Sequence, residues 1–154
     1  MTDSRRIVES GYDSSARRYL EWSARIADDP RLRFLGELTD RLDDGADVLD
    51  LGCGAGVPCT ALLAERHDVL GVDLSAAQLD LAWRNVPGAR FEKADMAEVS
   101  FPDGGWFLAA LGCGEANGVE ADWLGTPMFF SSHNAAENRR LLEAAGSRWS
   151  STSR

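Results

Sequence analysis

VLDLGCGAG, residues 48–56, decides the fold class. Residues 47–51 form a short run rich in Val and Leu, the texture of a buried strand. Glycines at 52, 54 and 56 then let the backbone turn tightly and come close to a ligand with no Cβ in the way. Residues 58–66 read as a helix, with Pro58 tolerated in its first turn. Strand, glycine loop and helix in that order form the context a ligand-binding loop needs.

The pattern continues downstream. Residues 69–72 read as a second strand ending at Asp73 in VLGVDLS. Ser75 caps the following helix, and Gln78 sits three residues later as in a capping box. Leu79, Leu81, Ala82 and Trp83 give that helix its apolar content, and Pro87-Gly88 ends it. Residues 89–92 and 106–111 read as a third and a fourth strand. Asn134 with Glu137 opens a last helix that Gly146 stops. Upstream, Ser14 or Ser15 is expected to cap a helix through Tyr19, Leu20 and Trp22. Asp29-Pro30 starts another, with Leu32, Leu35, Leu38 and Leu42 at helical spacing. Alternating strands and helices predict an α/β fold, a parallel sheet wrapped by helices through right-handed crossovers. The ligand then lies beyond the carboxyl ends of the strands, beside the first of them.

Charge narrows the ligand. Asp73 stands 21 residues after Gly52, close to the offset of about 20 expected for an acid that binds ribose hydroxyls. A carboxylate only accepts, which suits two neighbouring hydroxyl donors. A pyrophosphate site wants GxGxxG, whereas this loop is GxGxG. Asp50, just before the loop, repels a pyrophosphate but suits a ligand carrying a sulfonium and an ammonium. This logic favours S-adenosylmethionine (SAM) over a nicotinamide dinucleotide. Lys93-Ala94-Asp95-Met96 follows the third strand. There Asp95 either accepts from an adenine amino group, with the Met96 backbone beside the ring, or caps a helix.

The 154 residues leave room for one domain, and the net charge of −9 argues against a nucleic acid or an anionic membrane surface as partner. Three cysteines without framework spacing and two distant histidines make a disulfide scaffold or a metal site unexpected. The amino-terminal stretch has no apolar signal region, so the cytoplasm is the expected compartment.

VLDLGCGAG, GVDLS and KADM in this order and spacing resemble the class I SAM-dependent methyltransferases. The resemblance implies a three-layer, Rossmann-like, mostly parallel sheet with helices on both faces. It also implies methyl transfer from SAM to a small-molecule acceptor. In that family the glycine loop holds the methionine part of the cofactor, which maps onto Asp50, Gly52, Cys53 and Gly54. The acid after the second strand holds the ribose, mapping onto Asp73, with Leu74 against the adenine. The residues after the third strand, here Asp95 and Met96, hold the adenine. GYDSSARRY is similar to family members whose tyrosine closes over the cofactor, making Tyr12 and Tyr19 candidates, with plain amphipathic packing as the alternative. No catalytic residue is assigned.

The sequence departs from that family after the third strand. SFPDGGWFLAALG reads as one family turn joined to another, so the fourth strand with its helix and the last two strands have no counterpart. The fold is expected to be shortened. Residues 93–105 suffice for a crossover, so residues 106–111 are expected to take the vacant place beside the first strand. The expected organisation is one domain over 1–146: helices to 45, a SAM-binding core over 46–111, then a substrate-side loop and last helix over 112–146. A polar tail, 147–154, follows. In DWLGTPMFFSSH, residues 122–133, the side chains of Trp123, Met128, Phe129 and Phe130 either line an acceptor pocket or cover the sheet. His133 is either a general base or a residue before the last helix. Alternatives to the enzyme are a non-catalytic SAM-binding remnant and, third, an NAD(P)-binding domain.

Overall fold

The computed structural model describes residues 3–100 and 104–147. In chain order the elements are α1 (Asp3–Ser23), α2 (Pro30–Thr39), β1 (Asp47–Leu51), α3 (Cys59–Leu63), β2 (Asp68–Asp73), α4 (Ala76–Asn85) and β3 (Arg90–Lys93). A 3-10 turn (Met96–Glu98), β4 (Ala116–Trp123), β5 (Thr126–Ser132) and α5 (Ala135–Ala144) follow. No described helix is long and apolar enough to cross a membrane.

β1, β2 and β3 form a parallel sheet in that order, with Val48 opposite Val69 and Gly71 opposite Phe91. Side chains alternate across a strand, so this register places Val48, Val69 and Phe91 on one face. There they meet Leu35 of α2, Leu63 of α3, Val86 and Ala89 in the main apolar core. Trp83 of α4 packs edge-on against Phe91, with ring centroids 5.2 Å apart. Burying each such aliphatic side chain contributes about 1.5–3 kcal/mol.

Helix starts follow the sequence closely. Asp29 accepts the Arg31 N–H before α2, the Ser75 hydroxyl accepts the Gln78 N–H before α4, and Asn134 accepts the Glu137 N–H before α5. The capping box at Ser75 is one-sided, because the Gln78 amide has no partner. α3 is shorter than 58–66, since residues 64–66 leave the helix as a turn.

Neither Ser14 nor Ser15 caps a helix. Both lie inside α1, where the Ser15 hydroxyl donates to the Gly11 carbonyl at 2.8 Å, a bond a serine makes within a helix without ending it. One stripe of α1 lies along the carboxyl ends of the strands. Arg5 pairs with Asp95 and Glu98, Glu9 with Lys93, and Asp13 accepts from the Ser75 hydroxyl. A neighbouring stripe meets an antiparallel hairpin, β4–β5, which occupies the stretch expected to be a substrate-side loop. Met128, only 1% exposed, fills the space against Gly11, and Arg18 donates to the Leu124 carbonyl.

Residues 106–111 do not join the sheet. They form no strand, and β1 is an edge of the three-stranded sheet among the described residues. Trp106 sits under the Arg41 guanidinium, 5.0 Å from ring centroid to Cζ, while the Gly112 carbonyl accepts from Asn138. The segment is thus tethered at one end beyond α2 and at the other to α5. Its Ala-Ala centre also favours pleated structure weakly. Residues 101–103 of the expected SFPDGG turn and 148–154 of the polar tail lie outside the described residues.

Candidate functional site

The glycine loop is held in a backbone conformation that other residues resist. Gly52, Gly54 and Gly56 have φ of +74°, +55° and +77°, the left-handed region that costs a residue with a Cβ roughly 1–2 kcal/mol. At Gly56 space is tight as well, because a Cβ would lie 3.0 Å from Val86 Cγ2 and the valine would have to give way. The loop leaves β1 with the Gly52 and Cys53 N–H groups both donating to the Val72 carbonyl, at 2.7 and 3.1 Å. Asn85 at the end of α4 donates to the Ala55 carbonyl at 2.9 Å. The result is a turn fixed from below, with Gly52 exposed and Gly54 half-buried at the carboxyl end of the sheet.

Two carboxylates flank it. Asp73 Oδ2 accepts the Gly54 N–H at 2.8 Å and Oδ1 accepts the Ser75 N–H at 2.9 Å. An ionised carboxyl has about four acceptor positions, so Asp73 retains capacity for ligand hydroxyls. Asp50 Oδ2 accepts from the Thr60 hydroxyl at 2.6 Å. Burial raises the pKa of both carboxyls. For Asp50 the Thr60 bond opposes this and Asp73 adds to it; for Asp73 the backbone N–H groups of Ser75, Gly54 and Leu74 oppose it and Asp13 adds. Two partly desolvated acids with unfavourable mutual repulsion form a site suited to a cation.

Aromatic rings close the other side. Tyr12, Tyr19 and Trp123 form a triad with each pair of ring centroids 5.5 Å apart, and Phe130 extends it from Trp123 at 5.8 Å. The Tyr12 phenol is pushed up to about 12, chiefly by burial, with Tyr19 and Asp73 adding to the rise. Tyr12 and Asp73 therefore share one electrostatic neighbourhood. The Cys53 thiol is buried and pushed well up by desolvation, then by Asp73 and Asp50, which makes it unreactive as a nucleophile.

The sequence-selected residues thus come together: Tyr12 and Tyr19 from α1, Asp50 from β1, Gly52, Cys53 and Gly54 from the loop, and Asp73 with half-buried Leu74 after β2. Met96 reaches the loop, its Cε lying 3.2 Å from where a Cβ on Gly52 would stand. The Asp95 carboxylate caps the 3-10 turn through the Ala97 N–H and pairs with Arg5 at 3.2 Å. His133 lies apart from the cluster, past the end of β5 opposite to Trp123. There it lines an open depression of about 360 Å³ with Glu115 and Ser131.

Two participants, Thr60 and Asp13, escaped the sequence reading, and Trp123, expected at an acceptor pocket or on the sheet, stands instead in this triad. Thr60 orients Asp50 and is fully buried one helical turn past the loop. Asp13 crosses from α1 to the start of α4, at 2.6 Å from the Ser75 hydroxyl and 3.1 Å from the Ala77 N–H. Its position directly after Tyr12 was the available signal. Trp123 completes the aromatic triad, which required knowing that the hairpin folds onto α1.

A profile of the methyltransferase domain family matches residues 48–114, from β1 through the loop, both carboxylates and Met96. Residues 48–114 thus match a methyltransferase domain. The chain is similar to trans-aconitate 2-methyltransferase of Enterobacter sp., 44% identical over 85 residues, covering 52% of this chain and 31% of that protein. The enzyme of that name from Methylobacterium nodulans is 39% identical over 93 residues, covering 57% and 34%. The chain spans about a third of the length of these curated relatives. In fold, the chain is similar to a chain in the Haloferax volcanii complex between the Trm112 methyltransferase activator and a methyltransferase. That match has a TM-score of 0.51 at 23% identity and covers 62% of this chain and 42% of that one.

Proposed function

We propose that this chain binds S-adenosylmethionine in the glycine-loop site and transfers its methyl group to a small-molecule acceptor. The observation that carries this reading is the pairing of a glycine-rich turn in the left-handed region with two partly buried carboxyls, Asp50 and Asp73, both resisting ionisation through burial. Such a site gains most from a ligand that brings positive charge. Asp73 holds the ribose hydroxyls, and Asp50 with the Gly52–Cys53–Gly54 backbone receives the cationic methionine end. Leu74 and Met96 lie against the adenine. The triad of Tyr12, Tyr19 and Trp123 keeps water from the sulfonium side. When bound, the cofactor supplies a methyl carbon already activated for displacement. The chain's contribution is to position and desolvate the two reactants.

The named relatives make trans-aconitate the first acceptor to test. A carboxylate oxygen would form the new C–O bond as the C–S bond breaks, leaving a neutral thioether and a methyl ester. Incubation with methyl-tritiated SAM and trans-aconitate is expected to give label that mild base releases as methanol. Absence of base-labile label with trans-aconitate and a panel of other small carboxylic acids would count against carboxyl methylation.

A second reading is SAM binding without turnover. The open edge of β1 favours it, because no described strand pairs with that edge to wall the acceptor side of the cleft. Saturable SAM binding with no label transfer to any acceptor in a cell extract would select this second reading.

A further inference from the structure

Gln78 is the side chain in the site whose chemistry is unaccounted for. It lies in the first turn of α4, is 1% exposed, and neither its Oε1 nor its Nε2 has a hydrogen-bond partner. Its place is underneath the glycine loop. Gln78 and Ala82 of α4, with Val86 just past its end, run along the loop, with Ala82 and Val86 packed closely on Gly56 and Gln78 Oε1 3.8 Å from where a Cβ on Gly54 would stand. Two of these three positions are apolar and fit tightly. An apolar side chain of similar size at 78 would pack the same space without stranding a donor and an acceptor away from water, which is destabilising. The other α4 amide beneath the loop, Asn85, is bonded to the Ala55 carbonyl. α4 therefore presents two amides to one turn, and only one of them is engaged.

We infer that Gln78 is a positioning residue whose carboxamide engages the Gly54–Ala55 backbone when ligand occupies the loop. The Gly54 N–H already donates to Asp73, so drawing this turn toward α4 would also set the carboxylate against the ligand's hydroxyls. The inference rests on the proposed reading of the loop as an S-adenosylmethionine site. It adds that the loop is incompletely bonded until that site is filled.

The test compares the unaltered chain with Gln78→Leu and Gln78→Glu, using S-adenosylhomocysteine as the probe. Melting temperatures are measured without ligand and affinities by calorimetry. Gln78→Leu is expected to melt no lower than the unaltered protein when ligand-free, yet to bind at least fivefold more weakly. Gln78→Glu is expected to bind weakly at neutral pH and to recover relative to the unaltered chain as pH falls, because a protonated carboxyl donates as the amide does. A purely structural role would not produce that pH-dependent rescue. Equal affinity of Gln78→Leu and the unaltered chain overturns the inference. So does a ligand-free Gln78→Leu protein that is markedly less stable, since the amide would then already be bonded. If the unaltered chain does not bind the probe, the reading of the site fails first.

Discussion

Asp73 Oδ2 receives the Gly54 N–H at 2.8 Å, so the acid at the end of β2 and the middle of the glycine loop are one hydrogen-bonded unit. Asp73 consequently shapes the turn as well as offering acceptors to a ligand. Asp73→Ala is expected to weaken SAM binding at least tenfold, about 1.4 kcal/mol or more. Asp73→Asn keeps one acceptor oxygen and loses the charge, so it falls between. Equilibrium dialysis with labelled SAM measures both; unchanged affinity in Asp73→Ala would mean that the ribose lies elsewhere.

The raised pKa values of Asp50 and Asp73 set a pH dependence. Their folded-state values lie above those of the unfolded chain, so the folded state binds more protons in the acidic range. The stability they contribute is fully present below the unfolded carboxylate pKa and is lost as pH rises through the raised values. A cationic ligand needs the ionised forms, so affinity for SAM rises over the same window. Asp50→Asn is expected to raise the ligand-free melting temperature at neutral pH by about 2–4 °C, the effect of about 1 kcal/mol in a chain of this size. It is also expected to flatten the pH dependence of binding. Thermal melts from pH 4 to 8, with and without SAM, check both signs.

Two helical glycines should respond oppositely to alanine. At Gly36 of α2 a Cβ meets nothing within 4 Å, so Gly36→Ala gains helix propensity and stabilises by about 0.5–1 kcal/mol. At Gly11 of α1 it would lie 2.7 Å from Met128 Cε and 2.9 Å from the Pro127 carbonyl oxygen. Gly11→Ala should therefore destabilise by about 1–3 kcal/mol, since the hairpin must move away from α1. Urea unfolding of both variants decides whether the hairpin is seated on α1 as described.

How legible each part was in the sequence follows from how local its causes are. α2, β1, the glycine loop, β2, α4 and β3 could be read because apolar periodicity, the Ser75 cap and the Asp29-Pro30 start all act within a few residues. The gathering of Asp50, Gly54 and Asp73 was legible for the same reason, since parallel crossovers bring successive strand ends together. The β4–β5 hairpin was not. Its register turns on the Leu124-Gly125 bend, where both residues have positive φ, and Leu124 carries no turn signal of its own. Residues 106–111 misled because an apolar run says nothing about whether a neighbour is within reach. Arg41 and Asn138, distant in sequence, hold that segment elsewhere. Ser15 misled because a serine that bonds back to Gly11 looks, in sequence, like one that starts a helix.

Trp123 supplies a spectroscopic check on the aromatic triad. Burial is the leading cause of the Tyr12 shift to about 12, and Trp123 packs directly on that ring. Trp123→Ala should let water reach the phenol and bring its titration down toward the ordinary tyrosine value near 10. The chain has two tyrosines, so phenolate absorbance near 295 nm reports few groups. The unaltered chain should show a clearly late transition from Tyr12, and the variant should lose it.

The decisive measurement is a calorimetric titration of the intact chain with S-adenosylmethionine, followed by NADH on a fresh sample. Saturable one-to-one heat with the first and none with the second is predicted. No heat from the sulfonium ligand in a chain shown to be folded, or equal binding of the dinucleotide, would contradict the account.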